Sequence, residues 1–175
     1  MTPEKASIEA EKICSLAPVI PVLVVNDPAI AQPLAKALVA GGLPALEVTL
    51  RTPAALEVIA EMAKVEGGVV GAGTLLNPKD VTDAIAAGAK FGVSPGATDT
   101  LLTTCEAADL PLLPGAATST EVMLLLERGY RVQKFFPAEA NGGAGALKAI
   151  GAPLPKCGSA QPAASHPPMP QAIWG

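Results

Sequence analysis

Short β-branched runs recur along this 175-residue chain at a spacing of roughly 20 to 25 residues, and each is followed by an Ala-rich stretch that opens on a helix-start signal. The spacing predicts strands at Val19–Val25, Ala45–Leu50, Val69–Thr74, Phe91–Ser94, Leu110–Leu113 and Arg131–Phe136. Asp27-Pro28, Thr52-Pro53, Asn77-Pro78, Thr98 and Thr118 stand where the next helices should begin. A last helix is expected near Ala144–Ile150. Six consecutive βα units with short connections leave two architectures, a (β/α)₈ barrel short of strands or a doubly wound open sheet.

The second strand separates them. Glu47, Thr49 and Arg51 fall on one face and Leu46, Val48 and Leu50 on the other. A strand covered by helices on both sides should be apolar on both faces, whereas a barrel strand can carry polar groups inside, near its C-terminal mouth. The reading is therefore an α/β protein of the (β/α)₈ barrel kind, incomplete, with about six units over residues 1–151. Residues 152–175 break the pattern. From Gly151 onward the chain holds six of its eighteen prolines, its single His (His166), its single Trp and one charge, Lys156. Proline is excluded from helix interiors and central strands, so this Pro-rich tail is expected to lie outside the fold as a disordered segment. A frameshift, a sequencing error or a genuine truncation near Gly151–Lys156 would each leave that mark.

Composition removes several function classes. Hydrophobic types are 50% and charged ones 16%, which excludes disorder from excess charge over most of the chain. A formal net charge of −4 offers no basic surface to nucleic acid. Cys14, Cys105 and Cys157 are odd in number and widely spaced, so neither a disulfide framework nor a Cys-x-x-Cys zinc site is expected, and a reducing compartment is. Before Gly151 the longest uncharged stretch, Ile13–Asn26, is 14 residues long and contains Pro18 and Pro21, too short to span a bilayer. Acidic Glu4 and Glu9 disagree with the basic leader of a signal peptide. A cytoplasmic protein with no metal, cofactor, nucleic-acid or membrane partner is the expectation.

Chemistry concentrates in a few residues. Lys134, in Val132-Gln133-Lys134-Phe135-Phe136-Pro137, has the most apolar flanks of the nine lysines. Either its stem packs on Phe rings while the ammonium reaches water, or it is an imine-forming nucleophile. Glu47 is a poor strand former, so it is solvated, paired with Arg51, or functional. In a barrel mouth beside Lys134, Glu47 can move protons and Arg51 can grip a substrate carboxylate. Gly71-Ala72-Gly73-Thr74 lacks the third glycine of a dinucleotide loop, because residue 76 is Leu. It suits a close backbone approach at the mouth, with the Thr74 hydroxyl free to hydrogen-bond. Ser94-Pro95-Gly96 and Pro114-Gly115 read as βα turns. Asn141-Gly142-Gly143 can offer amides to an anion or serve only as a loop.

Leu46-Glu47-Val48-Thr49-Leu50-Arg51, Gly71-Ala72-Gly73-Thr74, Ser94-Pro95-Gly96, Lys134-Phe135-Phe136-Pro137-Ala138-Glu139 and Asn141-Gly142-Gly143, in this order and spacing, resemble the 2-keto-3-deoxy-6-phosphogluconate aldolases. Many of these also act on 4-hydroxy-2-oxoglutarate. The resemblance runs from about residue 8 to 150. It implies a (β/α)₈ barrel, homotrimeric in complete relatives, that cleaves a keto-acid substrate to pyruvate and an aldehyde without metal or cofactor. It implies Lys134 as the Schiff-base lysine and Glu47 as an acid/base working through a water. Arg51 and Thr74 would bind the pyruvyl carboxylate end, and Pro95 and Phe136 would wall the pocket. The family pattern of strands seven and eight with their phosphate loops has no counterpart after Gly151, so phosphate contacts are not carried over. Poor stability, association through open edges and near-inactivity as an aldolase are expected of the chain, with non-phosphorylated substrates such as 4-hydroxy-2-oxoglutarate suffering less. Two other readings remain at this stage: a non-catalytic barrel remnant, and a barrel epimerase or isomerase in which Glu47 and Lys134 only exchange protons.

Overall fold

The amino-terminal signals Thr2-Pro3-Glu4 produce a helix that the strand periodicity does not reveal: α1 spans Pro3–Cys14, with the Thr2 side chain accepting from the Lys5 amide. The computed structural model describes residues 1–154 and, by backbone, 172–174. After α1 the order is β1 (Val22–Leu23), α2 (Ala31–Ala40), β2 (Ala45–Thr49), α3 (Ala55–Met62), β3 (Val69–Gly73), α4 (Pro78–Ala86), β4 (Phe91–Val93) and α5 (Asp99–Ala107). Then come β5 (Leu112–Leu113), β6 (Gly115–Ala116), α6 (Ser119–Arg128), β7 (Gln133–Phe135), α7 (Gly143–Gly151) and β8 (Ala172–Trp174). Each expected strand is present, and every pairing is parallel and sequential.

The fifth expected strand, Leu110–Leu113, is present as β5, but beyond Pro114, where the sequence predicts a βα turn, Gly115–Ala116 forms a further strand, β6. β5 pairs with β4 and β6 with β7, and the hand-over occurs where proline has no amide to donate. Two helix starts also differ from expectation. Asp27 caps a 3₁₀ turn, Pro28–Ile30, before α2 begins. Thr52 caps nothing: its hydroxyl donates to the Val25 carbonyl at 2.8 Å, and α3 begins at Ala55. Asn77, Thr98 and Thr118 do cap, the last in a reciprocal capping box with Glu121.

The register sorts side chains into two layers. Val22 pairs with Glu47, Glu47 with Gly71, Gly71 with Phe91, Val93 with Leu113 and Gly115 with Lys134, so these residues share the inner face. Phe91, Val93, Leu113 and Val132 form an inner cluster closed from below by Ile13 and Cys14 of α1. The alternate residues Leu46, Val48, Val70, Ala72 and Leu112 pack outward under the helices. Leu50, also expected on that side, is half-buried beside them.

The tail departs from expectation at one place. Its backbone at Ala172–Trp174 forms β8, with Lys134 in register with Ile173. Strand pairing needs only free amides and carbonyls at the edge of β7 and a stretch without proline, and Ala172-Ile173-Trp174 is such a stretch. Cys157 and His166 lie outside the described residues; Cys14 and Cys105 are free thiols. Among the described residues no helix is long and apolar enough to cross a membrane.

At the other end of the array, among the described residues β1 pairs with β2 alone. Its inward-facing Val22 is 43% exposed and Val19, just upstream, 59%. Apolar side chains beside an unpaired edge favour association between chains. Replacing Val19 by Lys should shift the protein toward a smaller, monodisperse species in size-exclusion chromatography with light scattering. The melting temperature should change by only about 2 °C or less, as for surface substitutions away from the core.

Candidate active site

β2 and β7 belong to different sheets, and each contributes one titratable side chain to the inner layer. Lys134 is 7% exposed and Glu47 4%, and their Nζ and Oε1 atoms are 3.5 Å apart. Among the described residues Lys134 is the only buried lysine and Glu47 the only buried carboxylate. The amino group also sits 5.1 Å from the centre of the Phe136 ring, on which a cation is attracted by the ring face. The alternative of a lysine reaching solvent past its Phe neighbours is thereby excluded. Arg51 does not take the place of the partner either: it is exposed in the turn after β2. It remains near enough to favour the charged form of Glu47.

Two glycines make the room. The β3 residues Gly71 and Gly73 lie against the Phe91 ring and the Glu47 carboxylate, where a Cβ would stand 2.4 Å and 2.3 Å from the nearest atoms. The close approach expected of Gly71-Ala72-Gly73 is thus between this backbone and two side chains of its own chain. Thr74, which follows, holds φ at 65°. A non-glycine residue in the left-handed region costs on the order of 1 kcal/mol, a strain that clusters at functional sites. Thr74 and Pro95 are half-buried where β3 and β4 end, and Phe136 is half-buried just beyond β7. The Ser94 hydroxyl is buried with no hydrogen-bond partner among the described residues. The predicted set thus comes together as a core of Lys134, Glu47 and Phe136, with Thr74, Pro95 and Arg51 at the C-terminal ends of neighbouring strands.

Burial pushes the Glu47 carboxyl above the ordinary carboxylate range, while Lys134 and, more weakly, Arg51 pull it back. The removal of Lys134's charge should therefore raise it further. In Lys134→Met, a titration of ¹³C-labelled glutamate followed by NMR should show the Glu47 resonance moving at higher pH than in the parent. No movement, or movement at lower pH, would mean that the two groups do not sense each other.

A model of the KDPG and KHG aldolase family matches residues 10–159. The 2-dehydro-3-deoxy-phosphogluconate aldolase of Dickeya dadantii is 50% identical over 148 residues, which are 84% of this chain and 70% of that protein. The KHG/KDPG aldolase of Escherichia coli K12 is 50% identical over 83% of this chain and 68% of its own length. Among solved structures, the 2-keto-3-deoxy-6-phospho-gluconate aldolase of Zymomonas mobilis superimposes with a TM-score of 0.79 at 54% identity, covering 81% of this chain and 69% of that one. The KDPG aldolase of Legionella pneumophila, solved with pyruvate captured as a covalent carbinolamine intermediate, gives 0.78 at 44% identity over 82% and 70% of the two chains. With half of the aligned residues identical to such relatives, a family model matching residues 10–159 and a fold that superimposes on theirs, this chain belongs to the KDPG and KHG aldolase family.

Proposed function

We propose that the chain is a Schiff-base aldolase acting on 2-keto-3-deoxy-6-phosphogluconate, and on 4-hydroxy-2-oxoglutarate, with Lys134 as nucleophile and Glu47 as acid/base. The observation that carries this reading is the buried Lys134–Glu47 pair, 3.5 Å apart beneath the strand ends. An amine enclosed by apolar walls and a carboxylate is placed to attack a carbonyl. Lys134 passes its ammonium proton to Glu47, the freed Nζ adds to the substrate C2 carbonyl, and Glu47 returns the proton to the carbinolamine hydroxyl, which leaves as water to give an iminium. Glu47 then takes the C4 hydroxyl proton through a water, the C3–C4 bond breaks, and its electron pair passes into the iminium to leave an enamine on Lys134. The aldehyde departs, either glyceraldehyde 3-phosphate or glyoxylate. Protonation at C3 and hydrolysis release pyruvate and the free amine. Thr74 and Arg51 are assigned to the substrate carboxylate, and Pro95 and Phe136 to the walls.

No step in this scheme calls on a metal or an organic cofactor, because the iminium itself is the electron sink. The barrel segment 1–151 is taken as the catalytic unit, cytoplasmic in location, and a complete relative as its homotrimeric form. An epimerase built from the same pair would pass protons without a covalent bond, and that difference decides between them.

Pyruvate with borohydride should give a single reduced adduct by intact mass, and peptide mapping should place it on Lys134; an adduct on Lys36, Lys90 or Lys148, or none, defeats the assignment. Glu47→Gln should lower pyruvate release by about 10²- to 10⁴-fold, the usual span for a general acid/base. Its pH profile should discriminate as well. The base form of Glu47 is needed for cleavage, so kcat/KM rises as pH climbs through its pKa. Burial raises that pKa, which puts the limb above the ordinary carboxylate range. In the Gln variant this limb should be absent.

A further inference from the structure

Glycines occur at four tightly packed strand positions, and what an added methyl would strike differs among them. At Gly71 it is the Phe91 ring, at Gly92 the Leu75 side chain, and at Gly115 the Pro95 backbone. At Gly73 it is the Glu47 side chain, with Oε1 at 2.3 Å, Cγ at 2.8 Å and Cδ at 2.9 Å. Gly73 is the one described glycine at which a carboxylate comes nearer than 3.0 Å to the added atom. Its backbone gives no other reason for glycine. Its φ is not in the left-handed region, and its ladder contacts, the register with Thr49 and a carbonyl accepting from the Leu50 amide at 2.9 Å, are open to any residue except proline at the amide.

Resting on the acid/base reading of Glu47 above, we infer that Gly73 is a positioning residue: its bare Cα is the surface on which the Glu47 carboxylate lies while facing Lys134. The register explains the arrangement. Glu47 stands directly across from Gly71, and Gly73 is two residues further along the same inner face, toward the mouth. The carboxylate leans along β3 in that direction, where Nζ of Lys134 meets it. An alanine at 73 fills the place of the carboxylate, so Glu47 must adopt another rotamer and the 3.5 Å contact is lost.

The test separates imine formation from proton transfer. On the pyruvate iminium, removal of a C3 proton by Glu47 sends the C–H electron pair into a C2=C3 bond and the iminium pair onto nitrogen; return of a deuteron from D2O labels the methyl group. Loss of the pyruvate methyl signal by proton NMR reads this step, and borohydride trapping reads the one before. Gly73→Ala should trap pyruvate on Lys134 within about threefold of the parent yet exchange at least about tenfold more slowly. In a Glu47→Gln background, the same change should alter exchange by less than about twofold, because both changes act on one group. Exchange at the parent rate in Gly73→Ala, additive losses in the double variant, or loss of trapping together with exchange would each overturn the inference. Should Glu47→Gln itself exchange like the parent, the acid/base reading fails and takes this inference with it. Melting supplies a readout independent of turnover. Gly73→Ala should melt several degrees below the parent, whereas Gly73→Ala/Glu47→Ala should melt within about 2 °C of Glu47→Ala. Equal drops in the two backgrounds would show that Glu47 is not what the methyl displaces.

Discussion

Two opposite charges held 3.5 Å apart inside a strand array organise the rest of this molecule. Removal of each ion from water costs several kcal/mol even after relaxation. Their attraction at this separation is about 5 kcal/mol at an effective dielectric of about 20. The two quantities are of the same order, so the pair is tolerated rather than strongly stabilising. The direction of the Glu47 shift shows which dominates at the carboxylate: desolvation outweighs the pull of Lys134 and Arg51. A pair near balance can be opened by a small change of environment, such as conversion of the lysine nitrogen into an imine. A tight, multiply hydrogen-bonded ion pair would have to be broken first.

That balance is possible because the inner layer is built from small parts. Aromatic residues are 3% of the chain, and Phe91 is the one ring in the inner cluster. The glycines of β3 lie beneath Phe91 and Glu47, so an apolar floor and a polar upper layer are set by neighbouring residues of one strand. Below, Phe91, Val93, Leu113 and Val132 close with Ile13 and Cys14 of α1. Above, the chain leaves the strands through Thr74, Pro95 and Arg51. The vertical gradient from apolar to polar is what a carbonyl chemistry with a charged substrate tail requires.

Much of this was legible in the residues. Alternation at Leu46–Glu47–Val48–Thr49 put Glu47 on the polar face of its strand, whereas the apolar flanks of Lys134 marked its stem as packed but left open whether its amine is enclosed or reaches water. What stayed hidden depends on neighbours two strands apart or on contacts that leave no period. Thr52 looks like a helix cap because its local sequence fits one; the Val25 carbonyl that wins its hydroxyl lies 27 residues away. The break at Pro114 follows from proline's missing amide, yet the sequence alone does not say which of its flanks pairs with which neighbour. Gly73 carried only the statement that something approaches closely, because the register that brings Glu47 over it is a property of two strands together. Helix α1 had adequate signals in Thr2, Pro3 and Glu4, but it lies before the first βα unit and so outside the repeat.

The tail shows the same distinction from the other side. Side-chain patterns specify which face of a strand is buried, whereas pairing itself is carried by backbone amides and carbonyls that every residue but proline supplies. A segment with no resemblance to a barrel strand can therefore add to an open edge, provided it offers a few residues without proline, and Ala172–Trp174 meets that condition beside β7. The pattern of a barrel strand would be needed only to fill the interior and line the mouth. The edge next to Lys134 and the packing around Lys134 are thus separate requirements, the first met by backbone alone and the second by Glu47, Gly115 and Phe136 of the six preceding units.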